Sequence, residues 1–506
     1  MGLNQLRERL HGLAPGALTR LCRGIEKESL RATPEGALAM TPHPAALGSA
    51  LTHPHITTDF SEAQPELVTG VHASPEACLA ELTQIHQFVY RNIGDELLWC
   101  ASMPCGLPAD DRIPIGQYGR SNSGRLKTVY RIGLAHRYGR RMQTISGIHY
   151  NFSLPGVSNE GYFALIRNFR RHSWLPIYLF GASPAVCASF VEGRQHELEE
   201  LAPGTMFLPY ATSLRMGRLG YQSDAQSSLA VSYNSLASYA ASLYEALTQP
   251  YPPYESIGIR DGDDYRQLTT SLLQIENEFY TTVRAKRPTR RGERPLHALR
   301  ERGVEYVEVR LMDLDPFVPL GITTATARVL DVFLLHCLLT DSPPDTPLEL
   351  VAISRNKLRA AQRGREPGLT LTRGSQEVGL LEWGGQLLAE CEPIAAALDR
   401  ARGGGAYRDA LAAAVATLGD PKSLPSARVL QAMARDHDNS YVRFVLALSR
   451  LHRRTLMELA FPAEAEQRFA RMARETLDEQ NRIEAADRVP FETYRQQYLS
   501  PELLKI

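Results

Sequence analysis

The sequence predicts an α+β protein, with an antiparallel sheet in its N-terminal part and helices in its C-terminal part. Up to about residue 320, short segments with strand-like alternation are mixed with helical ones. Beyond that point nearly every segment has helical spacing and is rich in Ala, Leu, Arg and Glu. We therefore expect residues 1–320 to contain the sheet and residues 321–506 to form a mostly helical region packed on it, within two domains or one continuous domain.

The extended segments are identified by alternation and by the turn residues that bound them. The first ends at the turn sequence Thr33-Pro34-Glu35-Gly36, and the second is interrupted by Pro65. The predicted extended segments are 22–31, 56–69, 148–154 and 304–310.

The helices are identified by 3.6-residue spacing and by capping residues. Ser74 is placed to cap a helix that has Pro75 at its first position. The triplet Gly403-Gly404-Gly405 predicts a hinge between two C-terminal helices. The predicted helices are 3–13, 75–92, 162–172, 235–247, 323–340, 386–402, 407–418 and 463–487.

Composition excludes several classes of protein. Of 506 residues, 43% are hydrophobic and 22% are charged, which is enough for a large core and excludes a disordered or collagen-like chain. Lys+Arg and Asp+Glu are both 56, so the zero net charge favours neither nucleic acid nor a membrane surface as a partner.

The cysteines and the apolar segments predict a cytoplasmic protein. The seven cysteines are scattered, without a CxxC pair. The first residues have the pattern of a charged amphipathic helix and not of a signal peptide. The most apolar stretch, residues 329–339, is too short to span a bilayer.

Acidic residues on strand faces are the first indication of chemistry. Glu26 and Glu28 alternate with other residues in the strand pattern, so both side chains lie on one face, about 7 Å apart. Like charges at this spacing are unfavourable unless a positive group, such as a divalent cation, lies between them. For an isolated pair, a solvent-exposed edge strand is the more common explanation.

Three further segments favour a cation site over an exposed edge strand. Asp59 and Glu66 add carboxylates in the second extended segment, His149 lies on the polar face of the third, and Glu308 and Arg310 share a face of the fourth. Taken singly, the histidine could be structural and the last pair a simple ion pair. Together they form an oxygen-rich set that suits Mg²⁺ or Mn²⁺ rather than zinc.

Magnesium in proteins usually binds together with substrate phosphates, so nucleotide chemistry becomes the leading hypothesis. The chain has neither a Walker A motif nor GxGxxG, so the nucleotide would lie on the sheet. The glycine-rich basic segment 116–127 could contact phosphates through Arg125 and Lys127. An exposed basic loop is the alternative for that segment.

Several long motifs make the chain resemble a known family. In order along the chain they are RGIEKESLR, GSALTHPHITTDFSEAQPE, SMPC, SNSGRLKTVYRIGL, MQTISGIHYNFSLP, YLFGASPAVC, LPYATSLRM, LQIENEFY and VEYVEVRLMDLDPF. Across residues 20–320, and more weakly through GREPGLTL, the sequence is very similar to the bacterial glutamate–cysteine ligases.

This resemblance implies a fold and a reaction. The fold would be like the catalytic domain of glutamine synthetase, a curved antiparallel sheet that forms a funnel flanked by helices. The reaction would join the γ-carboxylate of L-glutamate to the amine of L-cysteine at the expense of ATP, through a γ-glutamyl phosphate, as the first step of glutathione biosynthesis. The partners implied by this reaction are these three small molecules, and we expect the protein to be a monomer.

The resemblance assigns roles to individual positions. Arg310 would face the transferring phosphoryl group beside Glu308, and Arg215 would bind substrate. Phe60, Tyr221 and Tyr280 would surround the cysteine side chain. The implied ligands of Mg²⁺ or Mn²⁺ are Glu26, Glu28, Asp59, Glu66, His149 and Glu308.

Two alternatives remain at this point. A phosphotransferase like the phosphagen kinases would need no second amine substrate, and glutamine synthetase would use ammonia. An inactive paralogue would bind a nucleotide or an amino acid without turnover, although all six implied ligands and Arg310 are present.

Overall fold

The computed structural model describes residues 3–104, 106–220, 224–227, 229 and 231–504. The strands are β1 Cys22–Glu28, β2 Arg31–Ala32, β3 Ile56–Thr58, β4 Pro65–Val68, β5 Leu97–Leu98, β6 Ile148–Ser153, β7 Ala185–Cys187, β8 Glu199–Ala202, β9 Thr205–Phe207, β10 Arg260–Asp261, β11 Asp264–Tyr265, β12 Val283–Lys286, β13 Tyr306–Met312, β14 Thr370–Arg373 and β15 Gln376–Gly379. The helices are α1 Leu3–His11, α2 Pro75–Asn92, α3 Asn122–Tyr138, α4 Asn159–His172, α5 Trp174–Phe180, α6 Asp224–Ser227, α7 Leu236–Thr248, α8 Pro252–Glu255, α9 Pro295–Arg302, α10 Thr324–Leu339, α11 Pro347–Arg363, α12 Leu380–Arg402, α13 Ala406–Gly419, α14 Pro425–Asp436, α15 Tyr441–Glu458, α16 Ala463–Ala486 and α17 Phe491–Tyr498.

A six-stranded sheet organises the N-terminal part, with the strand order β12-β13-β6-β1-β4-β3. Every neighbouring pair in it is antiparallel. The α+β class and the antiparallel sheet predicted from the sequence are therefore confirmed. β1 lies in the middle of the sheet, so it is paired along both of its edges.

The first predicted extended segment is divided in the structure. β1 ends at Glu28, and Arg31–Ala32 pairs instead with Leu97–Leu98 in a separate two-stranded sheet. The segment 56–69 forms a hairpin of β3 and β4, closed by the hydrogen bond from Asp59 N to Gln64 O at 2.9 Å. Pro65 is the first residue of β4, a strand position that tolerates a residue without a backbone donor.

The two faces of β1 have different surroundings. Ile25 and Lys27 point to the core, and the ammonium of Lys27 lies 2.7 Å from His86 Nε2 on α2. Burial lowers the pKa of Lys27 to about 7. Glu26 and Glu28 point to the opposite face, because side chains alternate along a strand. One face of the sheet therefore meets helices, and the other faces a cavity.

The C-terminal helices share the core of the sheet region. One cluster of buried apolar residues extends from Leu6 to Leu504 and includes side chains of β1, β6, β13, α10, α12 and α13. The triplet Gly403-Gly404-Gly405 forms a tight turn between α12 and α13, which pack against each other. Gly403 and Gly404 have φ of 82° and 91°, which explains glycine at both positions. None of the helices in the described residues is long and apolar enough to cross a membrane.

A buried ion pair connects the sheet to the helical region. Arg23 on β1 and Asp331 on α10 are 3.0 Å apart, with both side chains fully buried. Tyr150 on β6 and Tyr407 on α13 donate hydrogen bonds to the same carboxylate, at 2.7 and 3.2 Å. These hydrogen bonds compensate the desolvation of the charges, so the network joins four elements at one point.

We predict that Asp331→Ala destabilises the protein strongly, because it leaves the Arg23 guanidinium buried without a counter-charge. The expected loss is about 3–5 kcal/mol of the free energy of unfolding. The measurement is the urea midpoint followed by circular dichroism. The control is Asp341→Ala, which removes an exposed partner of Arg9 and should cost less than about 1 kcal/mol. Equal midpoints for the two variants would contradict the prediction.

Candidate active site

A cavity of about 760 Å³ opens on the polar face of the six-stranded sheet. Its walls come from the sheet, from α3, and from α16 and α17 of the C-terminal region. Carboxylates and cationic side chains converge on it from strands, helices and loops. Those that line it are Glu26, Glu28, Asp59, Glu66, Lys127, Arg131, His149, Glu278, Arg284, Lys286, Arg290, Arg291, Glu293, Glu308, Arg310 and Glu479.

Strand register brings the predicted metal ligands together. Glu26 pairs across with His149, and Glu28 pairs across with Glu66. The His149 imidazole lies 3.2 Å from Glu26, 3.4 Å from Glu28 and 3.9 Å from Glu308, measured from a ring nitrogen to a carboxylate oxygen. His149 is therefore the common neighbour of three carboxylates.

These residues form two donor groups that overlap at the histidine. The first is Glu26, His149 and Glu308, and the second is Glu28, Glu66 and His149. In each group, one ligand atom per residue lies within 4.8 Å of the others. Asp59 lines the same cavity, and its charge acts on both Glu28 and Glu66. All six predicted ligands thus lie at one site.

Cations neutralise one side of the acidic cluster. Lys286 Nζ and Arg310 Nη1 lie 3.1 and 3.0 Å from oxygens of Glu308. Burial disfavours the Glu308 carboxylate, but these two cations hold its pKa well below the usual range. Burial also disfavours the Lys286 ammonium, and the Glu308 carboxylate raises its pKa above the usual value.

The other side of the cluster carries excess negative charge. Burial raises the pKa of Glu28 to about 8, and the Asp59 carboxylate adds to this. Burial and the carboxylates of Glu26 and Asp59 also raise the pKa of Glu66 well above its usual value. His149 Nε2 is buried without a hydrogen-bond partner among the described residues. Crowded carboxylate oxygens beside an imidazole nitrogen without a hydrogen bond fit a divalent cation.

The predicted substrate residues lie in different places. Phe60 and Tyr280 line the cavity, and Gln143 Nε2 donates a hydrogen bond to the Tyr280 hydroxyl at 2.7 Å. Arg215 is 1% exposed and is absent from the cavity lining, and its Nη2 donates to the main-chain carbonyl of Arg310 at 2.8 Å. Tyr221 lies outside the described residues.

The main chain at Gly147 packs closely against the guanidinium of Arg215. A Cβ built on Gly147 would lie 2.1 Å from Arg215 Nη2, so any side chain there would displace the guanidinium. Gly147 N also donates to Glu28 at 2.7 Å. Arg215 and Gly147 together position the strand end that carries Glu28.

The second half of the predicted basic segment 116–127 is helical. α3 begins at Asn122, with Ser121 as its N-cap accepting from Gly124 N. Lys127 lines the cavity above the ring of Tyr118, and burial and then Arg131 lower its pKa to about 8. Arg125, in contrast, is absent from the cavity lining and lies over the Phe491 ring at 4.4 Å.

Sequence reasoning missed several lining residues. Arg131 reaches back to the main-chain carbonyl of Asp59, and its helical spacing from Lys127 could have suggested it. Arg284 lies opposite Glu308 in the β12–β13 pairing. Tyr494 and Tyr498, on α17, had no motif that could indicate them.

Sequence comparisons with known proteins show which family the chain belongs to. The sequence profile of the family described as glutamate-cysteine ligase matches residues 11–360. The glutamate–cysteine ligase of Pseudomonas entomophila (strain L48) is 50% identical over 495 residues, covering 94% of this chain and 93% of that protein. The chain belongs to the glutamate–cysteine ligase family. The resemblance inferred from the motifs is therefore confirmed.

Other glutamate–cysteine ligases and their solved structures extend the likeness. The ligase of Bordetella parapertussis (strain 12822) is 49% identical over 498 residues, covering 95% of this chain and 94% of that one. The crystal structure of the Francisella tularensis ligase in complex with AMP has a TM-score of 0.90 at 36% identity, covering 95% of this chain and 98% of that one. A bifunctional glutathione synthetase from Pasteurella multocida has a TM-score of 0.72 at 26% identity, and only 58% of it is covered.

We predict that the stability of this glutamate–cysteine ligase, freed of metal, depends on pH through Glu28. Its carboxyl binds a proton more tightly when folded than when unfolded, so ionisation costs folding stability as pH rises from about 4.5 to about 8. Glu28→Gln keeps the acceptor for Gly147 N and removes this cost. In chelator, the melting temperature of Glu28→Gln should gain on the wild type as pH rises from 5 to 8.

The control is Glu305→Gln, which changes a carboxylate that is 49% exposed and lies just before β13. Its melting temperature should follow the wild type at every pH. A constant difference between Glu28→Gln and the wild type across this range would refute the assigned cause.

Proposed function

We propose that this chain joins the γ-carboxylate of L-glutamate to the amine of L-cysteine with cleavage of ATP to ADP and phosphate, the first step of glutathione biosynthesis. The observation that carries the proposal is the pair of carboxylate–His149 donor groups beside Lys286 and Arg310 in one cavity. Family membership, and the AMP bound by the Francisella tularensis relative, support ATP as the co-substrate.

Two steps overcome the poor reactivity of a carboxylate. An oxygen of the glutamate γ-carboxylate attacks the γ-phosphorus of ATP, and the bond from that phosphorus to ADP breaks, which gives a γ-glutamyl phosphate. The neutral amine of cysteine then attacks the acyl carbon. The acyl C–O bond breaks, phosphate leaves and the amine loses a proton, so γ-glutamylcysteine is the product.

The acidic residues would hold the cation that the first step needs. Glu26, Glu28, Asp59, Glu66, His149 and Glu308 are the proposed ligands, and their predominantly oxygen donors suit Mg²⁺ or Mn²⁺. When bound, the cation would neutralise phosphate oxygens, which otherwise repel an approaching carboxylate.

Arg310 is the proposed catalytic arginine. Glu308 fixes its guanidinium at 3.0 Å, so the planar fork of donors can contact the oxygens of the moving phosphoryl group. Arg215 holds the main chain of Arg310, which supports a positioning role for this buried residue beside its proposed contact with substrate. Lys127 is the proposed phosphate contact on α3, whereas the stacking of Arg125 on Phe491 favours a structural role.

Phe60, Tyr280 and Tyr221 are the proposed neighbours of the cysteine side chain. Phe60 is 1% exposed and packs into the wall, which offers an apolar surface to a thiol. The Tyr280 hydroxyl is oriented by Gln143. Substrates packed against these walls would also limit the access of water, which would hydrolyse an acyl phosphate.

We further propose that the six-stranded sheet is the glutamine-synthetase-like funnel and that residues 1–320 form the catalytic region on which 321–506 packs. The all-antiparallel strand order and the division between a polar and an apolar face support this. The monomeric state, the cytoplasmic location and the absence of nucleic-acid or membrane partners stay predictions.

We predict that the purified protein forms γ-glutamylcysteine from glutamate, cysteine and MgATP, and that EDTA abolishes the reaction until Mg²⁺ is restored. Phosphate release should require both amino acids, since the acyl phosphate is consumed only by the amine. Release from glutamate and ATP alone at the full rate would indicate a kinase, and a folded protein without product would refute the ligase.

We predict that Arg310→Lys lowers turnover about 10²–10³-fold, equivalent to about 3–4 kcal/mol of transition-state stabilisation. The ammonium keeps the charge but loses the planar fork, so Michaelis constants should change much less than kcat. The control is Arg287→Lys, which alters an ion-paired arginine next to β12 that does not line the cavity. Both variants should retain the wild-type melting temperature. Wild-type turnover in Arg310→Lys would exclude the catalytic role.

A further inference from the structure

A second cluster of metal-ligating side chains lies on the helical side of the sheet, outside the cavity. His172 is the last residue of α4, and His336 and Cys337 are consecutive on α10. One nitrogen of each imidazole and the Cys337 Sγ all lie within 4.8 Å of one another. None of the three lines the catalytic cavity. α10 contacts the face of the sheet opposite the cavity, where Asp331 accepts from Tyr150.

One nitrogen of each imidazole in this cluster lacks a hydrogen bond. His336 is 1% exposed and Cys337 is fully buried. Nδ1 of His172 and Nδ1 of His336 are both buried, and neither has a hydrogen-bond partner in the described part of the chain. Buried polar atoms are nearly always satisfied, so two such nitrogens close to a thiol need an explanation.

Glu390 on α12 completes the arrangement expected around a metal-binding histidine. Its carboxylate lies 2.8 Å from His336 Nε2. If Nε2 donates its proton to this carboxylate, the lone pair of the imidazole lies on Nδ1, the nitrogen that has no hydrogen bond. The Glu390 side chain is 38% exposed, so the cluster is close to solvent and an ion can reach it.

The surroundings also favour an ion that binds soft ligands. Trp383 packs edge-on against His172 with 5.9 Å between ring centroids, and Trp174 lies 4.9 Å from Trp383. These rings exclude water from one side of the cluster. Two imidazoles and a thiolate match Zn²⁺, whereas the carboxylate-rich cavity on the other face matches Mg²⁺ or Mn²⁺.

We propose that His172, His336 and Cys337 bind one Zn²⁺, with Glu390 orienting His336. The ion crosslinks the end of α4 to α10. Through the contact of Glu390 with His336, it also connects both helices to α12. Its role is structural: it joins helices of the sheet region to the C-terminal helices, without contact to the reacting groups.

The test uses the full-length protein, reduced, stripped of metal and then saturated with Mg²⁺ so that the acidic cavity is occupied. Co²⁺ serves as the spectroscopic probe, because a cobalt–thiolate bond gives a charge-transfer absorption that carboxylate ligands do not give. One equivalent of Co²⁺ should produce this band, one equivalent of Zn²⁺ should remove it, and Zn²⁺ should raise the melting temperature.

Cys337→Ser should lose the band and the thermal shift while keeping ligase activity. The control is Cys78→Ser, which alters another fully buried cysteine, on α2. It should keep both the cobalt band and the thermal shift. His172→Gln provides a second variant if Cys337→Ser does not fold, and it should weaken Co²⁺ binding at least tenfold. No band in the wild type, or an undiminished band in Cys337→Ser or His172→Gln, would overturn the proposal and leave the cluster as core packing.

Discussion

Repulsion among carboxylates held on one face of a sheet is the constraint on which the rest of the site depends. Glu26, Glu28 and Glu66 are fixed close together by antiparallel register, so they cannot separate without breaking backbone hydrogen bonds. The fold tolerates this because the opposite face of the same strand is held by the buried Arg23–Asp331 pair. Carboxylate repulsion destabilises one face of the sheet, and the buried packing on its other face offsets that cost.

Strand alternation explains what could be predicted from the sequence. It placed Glu26 and Glu28, and Glu308 and Arg310, on common faces, because the period of a strand fixes side-chain direction without knowledge of its partners. The pairing register between strands does not follow from this alternation. That Glu28 lies opposite Glu66 depends on the β3–β4 hairpin, and the family motifs implied only that both residues are ligands, not that they pair.

Other residues could not be predicted because their roles arise from distant contacts. Arg125 lies in a segment with the composition of a phosphate-binding loop. The Ser121 cap, however, starts a helix in which Arg125 packs over the ring of Phe491, more than 360 residues further along the chain. The close packing of the Arg215 guanidinium against Gly147 likewise joins residues that are distant in the sequence. Neither of these two contacts can be inferred from local sequence patterns.

The cavity wall also includes Tyr494 and Tyr498 from α17, near the C-terminal end of the described chain. During synthesis, the last of the acidic strands, β13, leaves the ribosome some 180 residues before this helix does. A nascent chain can therefore pair its strands and gather its carboxylates while one wall of the pocket is still missing. The cavity is complete only once α17 has been synthesised and packed, so a chain that stops before this helix lacks the wall that Tyr494 and Tyr498 supply.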